Sequence, residues 1–131
     1  MAKIQKNVTY IDYMFKESKA EELDLSSFDT RKVTSTGSMF AFSNISTIDI
    51  SNFDTNKVTT TERMFSNMTN LKTIYVSDKF SFDKVTSSAD MFLFCENLVG
   101  GEGTKYSPTF NDKTYARIDG GEASPGYFTA K

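Results

Sequence analysis

The feature that most constrains this chain is an internal repeat. A Val-Thr pair recurs at intervals of 25, 25 and 27 residues, and a Met-Phe pair begins six residues after each valine. A further Phe precedes the last three valines by five residues. Identities kept over four copies indicate units that stack on one another, since a single unit of this length cannot bury its own apolar side chains. The units begin near Val8, Val33, Val58 and Val85.

Each unit divides into two predicted elements. The stretch from Val-Thr to Met-Phe predicts about two turns of helix, with Thr59 as N-cap and Glu62 completing a capping box in the third unit. The second element is a short strand, because apolar and polar residues alternate there as in a strand with one buried face. The predicted strands are Leu23–Leu25, Ile48–Ile50 and Ile74–Val76.

A strand and a short helix that recur every ~25 residues fall within the period of about 20–29 residues that leucine-rich repeats use. We therefore expect an α/β fold, a right-handed parallel β/α solenoid of leucine-rich-repeat type with its repeated Phe and Met side chains in the core.

Glycine and proline divide the chain at residue 99. Six of the seven glycines and both prolines follow that point, which predicts a repeat array over residues 1–99 and a turn-rich C-terminal cap over 100–131. Residues 111–120 fit either a short helix ended by Gly120 or a hairpin across Gly120 and Gly121, and the sequence does not separate the two. Residues 1–7 hold no full strand ahead of the first unit, so a fragment of a longer array is expected.

Two segments carry a resemblance to a known family. Residues 23–34 with Met39-Phe40, and residues 48–59 with Met64-Phe65, resemble the BspA-like repeat, which is related to leucine-rich repeats and occurs in bacterial surface proteins and lipoproteins. The ending over residues 114–129 is similar to the segment that follows such arrays. The third unit departs from the pattern at Tyr75 and at Ser81-Phe82. The resemblance implies export, display on a bacterial surface and adhesion, and it implies no defined ligand.

The composition excludes several kinds of chemistry. The chain has no His and one Cys, which removes His-based acid–base catalysis, most transition-metal sites and any internal disulfide. We therefore expect no cofactor and no metal, and we interpret Cys95 as a buried apolar residue rather than a nucleophile. No apolar run is long enough to span a membrane, and no stretch has the pattern of a signal peptide.

The charged residues offer three alternatives to a plain surface, each less favoured than its structural interpretation. Asp24 and Asp49 are a conceivable glycosidase pair, but no cleft is indicated. The segment 119–122 hints at a calcium loop, yet it lacks the spaced ligands and is interpreted as a turn. The three lysines that precede the repeated valines form a row that nearby acids neutralise, and with a net charge of −2 no nucleic acid is expected as partner. They are Lys32, Lys57 and Lys84.

The remaining candidate site is the polar face of the predicted strands, since repeat proteins often bind through an extended face. Its residues are Asp24, Ser26, Asp49, Ser51, Tyr75 and Ser77. We expect a non-catalytic binding or adhesion module of an exported bacterial cell-surface protein. It would act as a monomer, and its partner would be a host or bacterial surface protein or glycan. The alternatives are a structural spacer in a larger surface protein and, less favoured, a glycan-active enzyme.

Overall fold

The computed structural model describes residues 7–131, and over that range regular structure is sparse. Three short strands are present, β1 (Thr47–Asp49), β2 (Thr73–Val76) and β3 (Phe128–Ala130), together with two 3-10 turns at Lys113–Tyr115 and Gly121–Ala123. The strands form an open parallel sheet in the order β1-β2-β3. Residues 7–131 contain no α-helix. The expected β/α solenoid of leucine-rich-repeat type is therefore wrong.

The predicted helices are absent because the backbone turns left-handed where each helix was expected. Tyr13, Ser38, Arg63 and Asp90 occupy equivalent places in the four units, and their φ angles lie between 53° and 62°. A second set of positive φ angles follows four residues later, at Glu17, Phe42, Asn67 and Phe94. A right-handed α-helix needs φ near −63° throughout, so the segment instead folds into successive turns. The predicted capping box is absent as well, because the carboxylate of Glu62 accepts a hydrogen bond from Ser87 Oγ in the next unit.

Alternate residues of these turns tie neighbouring units together. In the first unit the N–H groups of Tyr13 and Phe15 donate to the carbonyls of Gly37 and Met39 at 3.0 and 2.8 Å. The N–H of Met14, between them, closes a turn on the carbonyl of Ile11. The same alternation recurs from the second to the third unit and from the third to the fourth. The repeat seen in the sequence thus appears as parallel bridges in one register, Tyr10–Ser35–Thr60–Ser87.

The strands only partly match the prediction. β1 and β2 lie within a residue of their predicted places, with Asp49 paired opposite Tyr75. Residues 23–25 form no strand, so the first unit contributes no strand to the sheet. Its third strand, β3, comes instead from the end of the chain and pairs with β2 so that Thr129 lies beside Tyr75. The sheet is therefore built from two repeat units and the C-terminal segment.

The core confirms the predicted role of the repeated aromatic residues. The rings of Phe15, Phe40, Phe65 and Phe92 stack in sequence, with centroid separations of 5.8, 5.7 and 5.5 Å and interplanar angles of 11° or less. Phe40, Phe65 and Phe92 have no exposed surface. Met14 differs from its counterparts, since it is 40% exposed whereas Met39, Met64 and Met91 are buried.

The segment after Gly100 covers the fourth unit. The ring of Phe92 meets those of Tyr127 and Phe128 edge-on at 5.0 and 6.0 Å. Neither alternative for residues 111–120 is correct: the segment holds only the 3-10 turn capped by Asp112, and a second 3-10 turn starts at Gly121 where a hairpin was considered. Gly126 is required here, because a Cβ at this position would lie 2.3 Å from the carbonyl oxygen of Arg117.

Candidate functional site

The sheet presents a row of polar side chains that crosses all three strands. Asp49 on β1 lies opposite Tyr75 on β2, which in turn lies opposite Thr129 on β3. Each of the three is partly exposed, whereas the neighbouring Ile48, Ile74 and Phe128 point into the core. The structure thus brings together two of the residues predicted from sequence and adds Thr129, which the prediction missed because β3 was not foreseen.

Lys131 lies across this row. Its ammonium group pairs with the carboxylate of Asp49 and stands 5.3 Å from the centre of the Tyr75 ring. Its backbone N–H donates to the carbonyl of Val76 at 3.0 Å, which fixes the residue beside β2. A carboxylate and an aromatic face each attract positive charge, so the two together hold the ammonium group of Lys131 in place. No sequence motif marks Lys131, because only the pairing of β3 with β2 carries it there.

The acidic group of this site is held in its charged form. Partial burial by itself raises the pKa of Asp49, but hydrogen bonds from Lys131 and from the hydroxyl and N–H of Ser51 outweigh it and lower the pKa below its usual value. The hydrogen bond to Asp49 and the charge of that carboxylate raise the pKa of Lys131. The pair is therefore ionised at neutral pH.

Asp24 and Asp49 form the same local turn, each with the serine two residues later. Asp49 Oδ1 accepts from the N–H and Oγ of Ser51 at 3.0 and 2.6 Å, and Asp24 Oδ1 accepts from Ser26 in the same way at 3.0 and 2.6 Å. These four residues line a shallow groove of about 190 Å³. The hydroxyl of Ser77 instead accepts from the N–H of Lys79 in the turn after β2. Ser77 does not line the grooves that contain Asp49.

A second groove runs along the outer side of β1. It measures about 680 Å³ and shares Leu23 and Asp49 with the smaller groove. The first unit has no strand here, and no backbone hydrogen bond joins its residues 20–24 to β1. Its lining residues are Glu21, Glu22, Leu23, Ser46, Thr47 and Asp49. Neither groove has a lysine or arginine in its lining, so both are acidic.

A third depression, of about 590 Å³, separates the loop after β2 from the C-terminal segment. Phe80, Phe82 and Phe128 supply apolar surface, and Asp78 and Lys113 are among the charged residues that line it. Lys113 Nζ donates to the carbonyls of Val85 and Phe82 at 2.7 and 3.4 Å, so this cation fastens the C-terminal segment to the fourth unit.

Cys95 is structural, as the sequence indicated. The thiol is buried and donates to the carbonyl of Phe65 at 2.9 Å, which joins the fourth unit to the third. Burial raises the pKa of the thiol to about 12. A thiol that stays protonated at neutral pH is a poor nucleophile.

Asp119 fixes the turns of the C-terminal segment. The buried carboxylate accepts from the N–H groups of Glu102, Thr104 and Gly121, and from the Thr104 hydroxyl at 2.7 Å. Burial alone raises the pKa of Asp119, but these donors outweigh it and hold the pKa at about 2. The interpretation of 119–122 as a turn holds, since N–H donors occupy the carboxylate oxygens that a calcium ion would need. Residues 7–131 contain no group of three metal-ligating side chains.

The predicted lysine row is exposed at all three positions, Lys32, Lys57 and Lys84. Lys32 Nζ donates to Asn7 Oδ1 at 3.0 Å. The neighbouring Asp29 pairs with Arg31 at 2.7 Å.

Two of the exposed aromatic residues recur at one place in the repeat and were not predicted. Phe42 and Phe94 are 52% and 50% exposed and occupy equivalent places in the second and fourth units. Each side chain is exposed although the stacked ring of its unit lies only two residues earlier. Both residues follow the Phe of a Met-Phe pair by two positions. This shared spacing could have identified them from the sequence.

Residues 7–131 contain no helix long and apolar enough to cross a membrane. Residues 4–101, about three quarters of the chain, match the family described as "Mycoplasma protein of unknown function, DUF285". No curated protein and no solved structure matches the chain.

Proposed function

Since the chain belongs to the DUF285 family, whose description assigns no function, we propose from its geometry that it is a non-catalytic binding module. The observation that carries this proposal is the row formed by Asp49, Tyr75 and Thr129 on three parallel strands. Such a row offers a carboxylate, an aromatic ring and a hydroxyl on one face. Tyrosine is also enriched in protein interfaces.

The acidic groups support binding rather than catalysis. A glycosidase of the usual kind needs one carboxylic acid whose pKa is raised, so that it can donate its proton near neutral pH. The pKa values of Asp24, Asp49, Asp112 and Asp119 are all lowered by hydrogen bonds. None of these four carboxyl groups therefore has the raised pKa of a general acid.

The setting of this module is a bacterial surface. The similarity of residues 23–34 and 48–59 to the BspA-like repeat, whose members are exported surface proteins, supports this setting. On this proposal the partner is a protein or glycan of a host or a neighbouring cell, and the sheet face makes the contact.

A structural spacer is the second candidate, and one observation favours it. One carboxylate oxygen of Asp24 and one of Asp49 accept a hydrogen bond from the serine two residues later, and Asp49 is also paired with Lys131. A face whose charges are paired within the chain can remain merely hydrated.

Binding of the labelled protein to arrays of extracellular-matrix proteins and surface glycans tests the proposal. We expect retention on at least one ligand, and a loss of about ten-fold or more in Asp49→Asn and Tyr75→Ala. Asp78→Asn is the matched control, since Asp78 is an exposed carboxylate in the depression beyond β2. Retention that survives both sheet-face changes but is lost in the control would place binding elsewhere. No retention on any ligand would favour the spacer.

A further inference from the structure

β1 is an edge strand whose outer side has no partner in the part of the chain that the structure describes. The first unit meets the second on both sides of this point. The carbonyl of Ser18 accepts from the N–H of Asn44 at 3.1 Å, and Asn52 Nδ2 donates to the carbonyl of Leu25 at 3.0 Å. Between these contacts no hydrogen bond joins residues 20–24 to residues 45–49.

The direction of the backbone groups on β1 follows from its bonds to β2. The carbonyl of Ser46 accepts from the N–H of Lys72 at 2.9 Å, and the N–H of Ile50 donates to the carbonyl of Tyr75 at 3.0 Å. Backbone groups of alternate residues face alternate sides of a strand. The N–H and C=O groups of Thr47 and Asp49 therefore face the outer groove, where a further strand would receive them.

The groove on this edge selects for positive charge. Glu21, Glu22 and Asp49 line it, Asp24 lines its continuation, and the lining of both parts lacks a lysine or arginine. The chain itself contains one such ion pair, since the ammonium group of Lys131 pairs with Asp49 from the sheet face. A basic segment would compensate Glu21 and Glu22, which a neutral or acidic segment would not, whereas Asp49 is already paired with Lys131.

We propose that the outer edge of β1 receives an extended basic peptide of a partner protein, which adds a strand beside Thr47–Asp49 with its lysine or arginine side chains against Glu21, Glu22 and Asp24. Strand addition of this kind takes affinity from main-chain hydrogen bonds and specificity from alternate side chains. The proposal rests on the proposed function, because it names the partner class of the binding module.

Fluorescence anisotropy with three labelled nine-residue peptides tests this. The first alternates lysine with threonine, and the second alternates glutamate with threonine. The third has the sequence of the first with every backbone nitrogen methylated, so it keeps the charge while losing all N–H donors. We expect the first peptide to bind at least about ten-fold more tightly than either of the others. Equal affinity for the two lysine peptides would overturn strand addition, and binding of the glutamate peptide would overturn the charge argument.

Two variants locate the site. Glu21→Gln with Glu22→Gln should weaken the lysine-threonine peptide about five-fold, since each exposed ion pair is worth roughly two- to three-fold in affinity. Glu96→Gln with Glu102→Gln removes two exposed charges that do not line the groove and should change nothing. Thr47→Pro deletes one outward N–H without touching the bonds to β2 and should also weaken binding.

The outcomes separate this inference from the proposed function. A groove variant that binds the peptide like the parent, with unchanged folding, would overturn the groove assignment. Array binding that depends on Tyr75 together with no peptide binding would overturn this inference alone. A chain that fails on the array and on the peptides would overturn both.

Discussion

The most direct energetic prediction concerns Phe65, whose ring lies in the middle of the aromatic stack. It has no exposed surface and lies between Phe40 at 5.7 Å and Phe92 at 5.5 Å. Replacing a buried Phe by Ala removes the transfer free energy of the ring and leaves a cavity, at a cost of about 3–5 kcal/mol. Phe65→Ala also loses two ring pairs, so we expect a value in the upper half of that range.

Such a loss is large for a chain of this size. Domains of this kind have free energies of unfolding of about 5–15 kcal/mol, and 1 kcal/mol corresponds to roughly 3–5 °C in Tm at this length. We therefore expect the Tm of Phe65→Ala to fall by about 12–25 °C. Urea titration followed by tyrosine fluorescence gives the free energy directly, since the chain has six Tyr and no Trp.

Phe42→Ala is the matched control, because this ring is 52% exposed and lies two residues beyond the stacked ring of its unit. Its effect should stay within about 0.5 kcal/mol, as for most surface changes. A loss below about 1.5 kcal/mol for Phe65→Ala, or equal losses for the two variants, would refute the stacked aromatic core.

Three further predictions concern the backbone and the C-terminal segment. Gly126→Ala should destabilise the fold by at least about 2 kcal/mol in urea titration, because its Cβ would meet the Arg117 carbonyl oxygen at 2.3 Å; a neutral result would contradict that close approach. Arg63→Gly should stabilise it by roughly 0.5–1 kcal/mol, since φ is 56° and glycine adopts this conformation without strain; a lower Tm would count against the left-handed turn. Asp119 has a pKa of about 2 in the folded chain against an ordinary 3.8, so the unfolded chain takes up its proton first. Its contribution is then complete above about pH 5 and lost as the pH falls toward 2. An Asp119→Ala variant should show a flatter acid limb of Tm against pH, and an unchanged limb would refute this role.

The sequence was sufficient to predict what depends on repetition. Phe40, Phe65 and Phe92 recur at the period of the units, and their burial follows because identical side chains stack when units lie side by side. The pairing of Asp49 with Tyr75 follows in the same way, since both hold the same place in successive units.

Features that depend on backbone angle or on distant pairing were not predictable. Tyr13 and Arg63 adopt positive φ although neither residue type favours it, so nothing marked the turns that replace the expected helices. β3 is three residues long and pairs with a strand more than fifty residues earlier, which no local pattern reveals. The position of Lys131 on Asp49 depends on that pairing, and so does the contact of its ammonium group with the Tyr75 ring.

Amide hydrogen exchange measured by NMR on the ligand-bound protein tests the central claim, that the edge and face of β1 form the contact surface. Bound ligand should protect the amides of Thr47 and Asp49, whereas the amide of Ile48, already paired with β2, should change little. Protection confined to the depression between residues 78–83 and 113–118, with Thr47 and Asp49 unchanged, would contradict it.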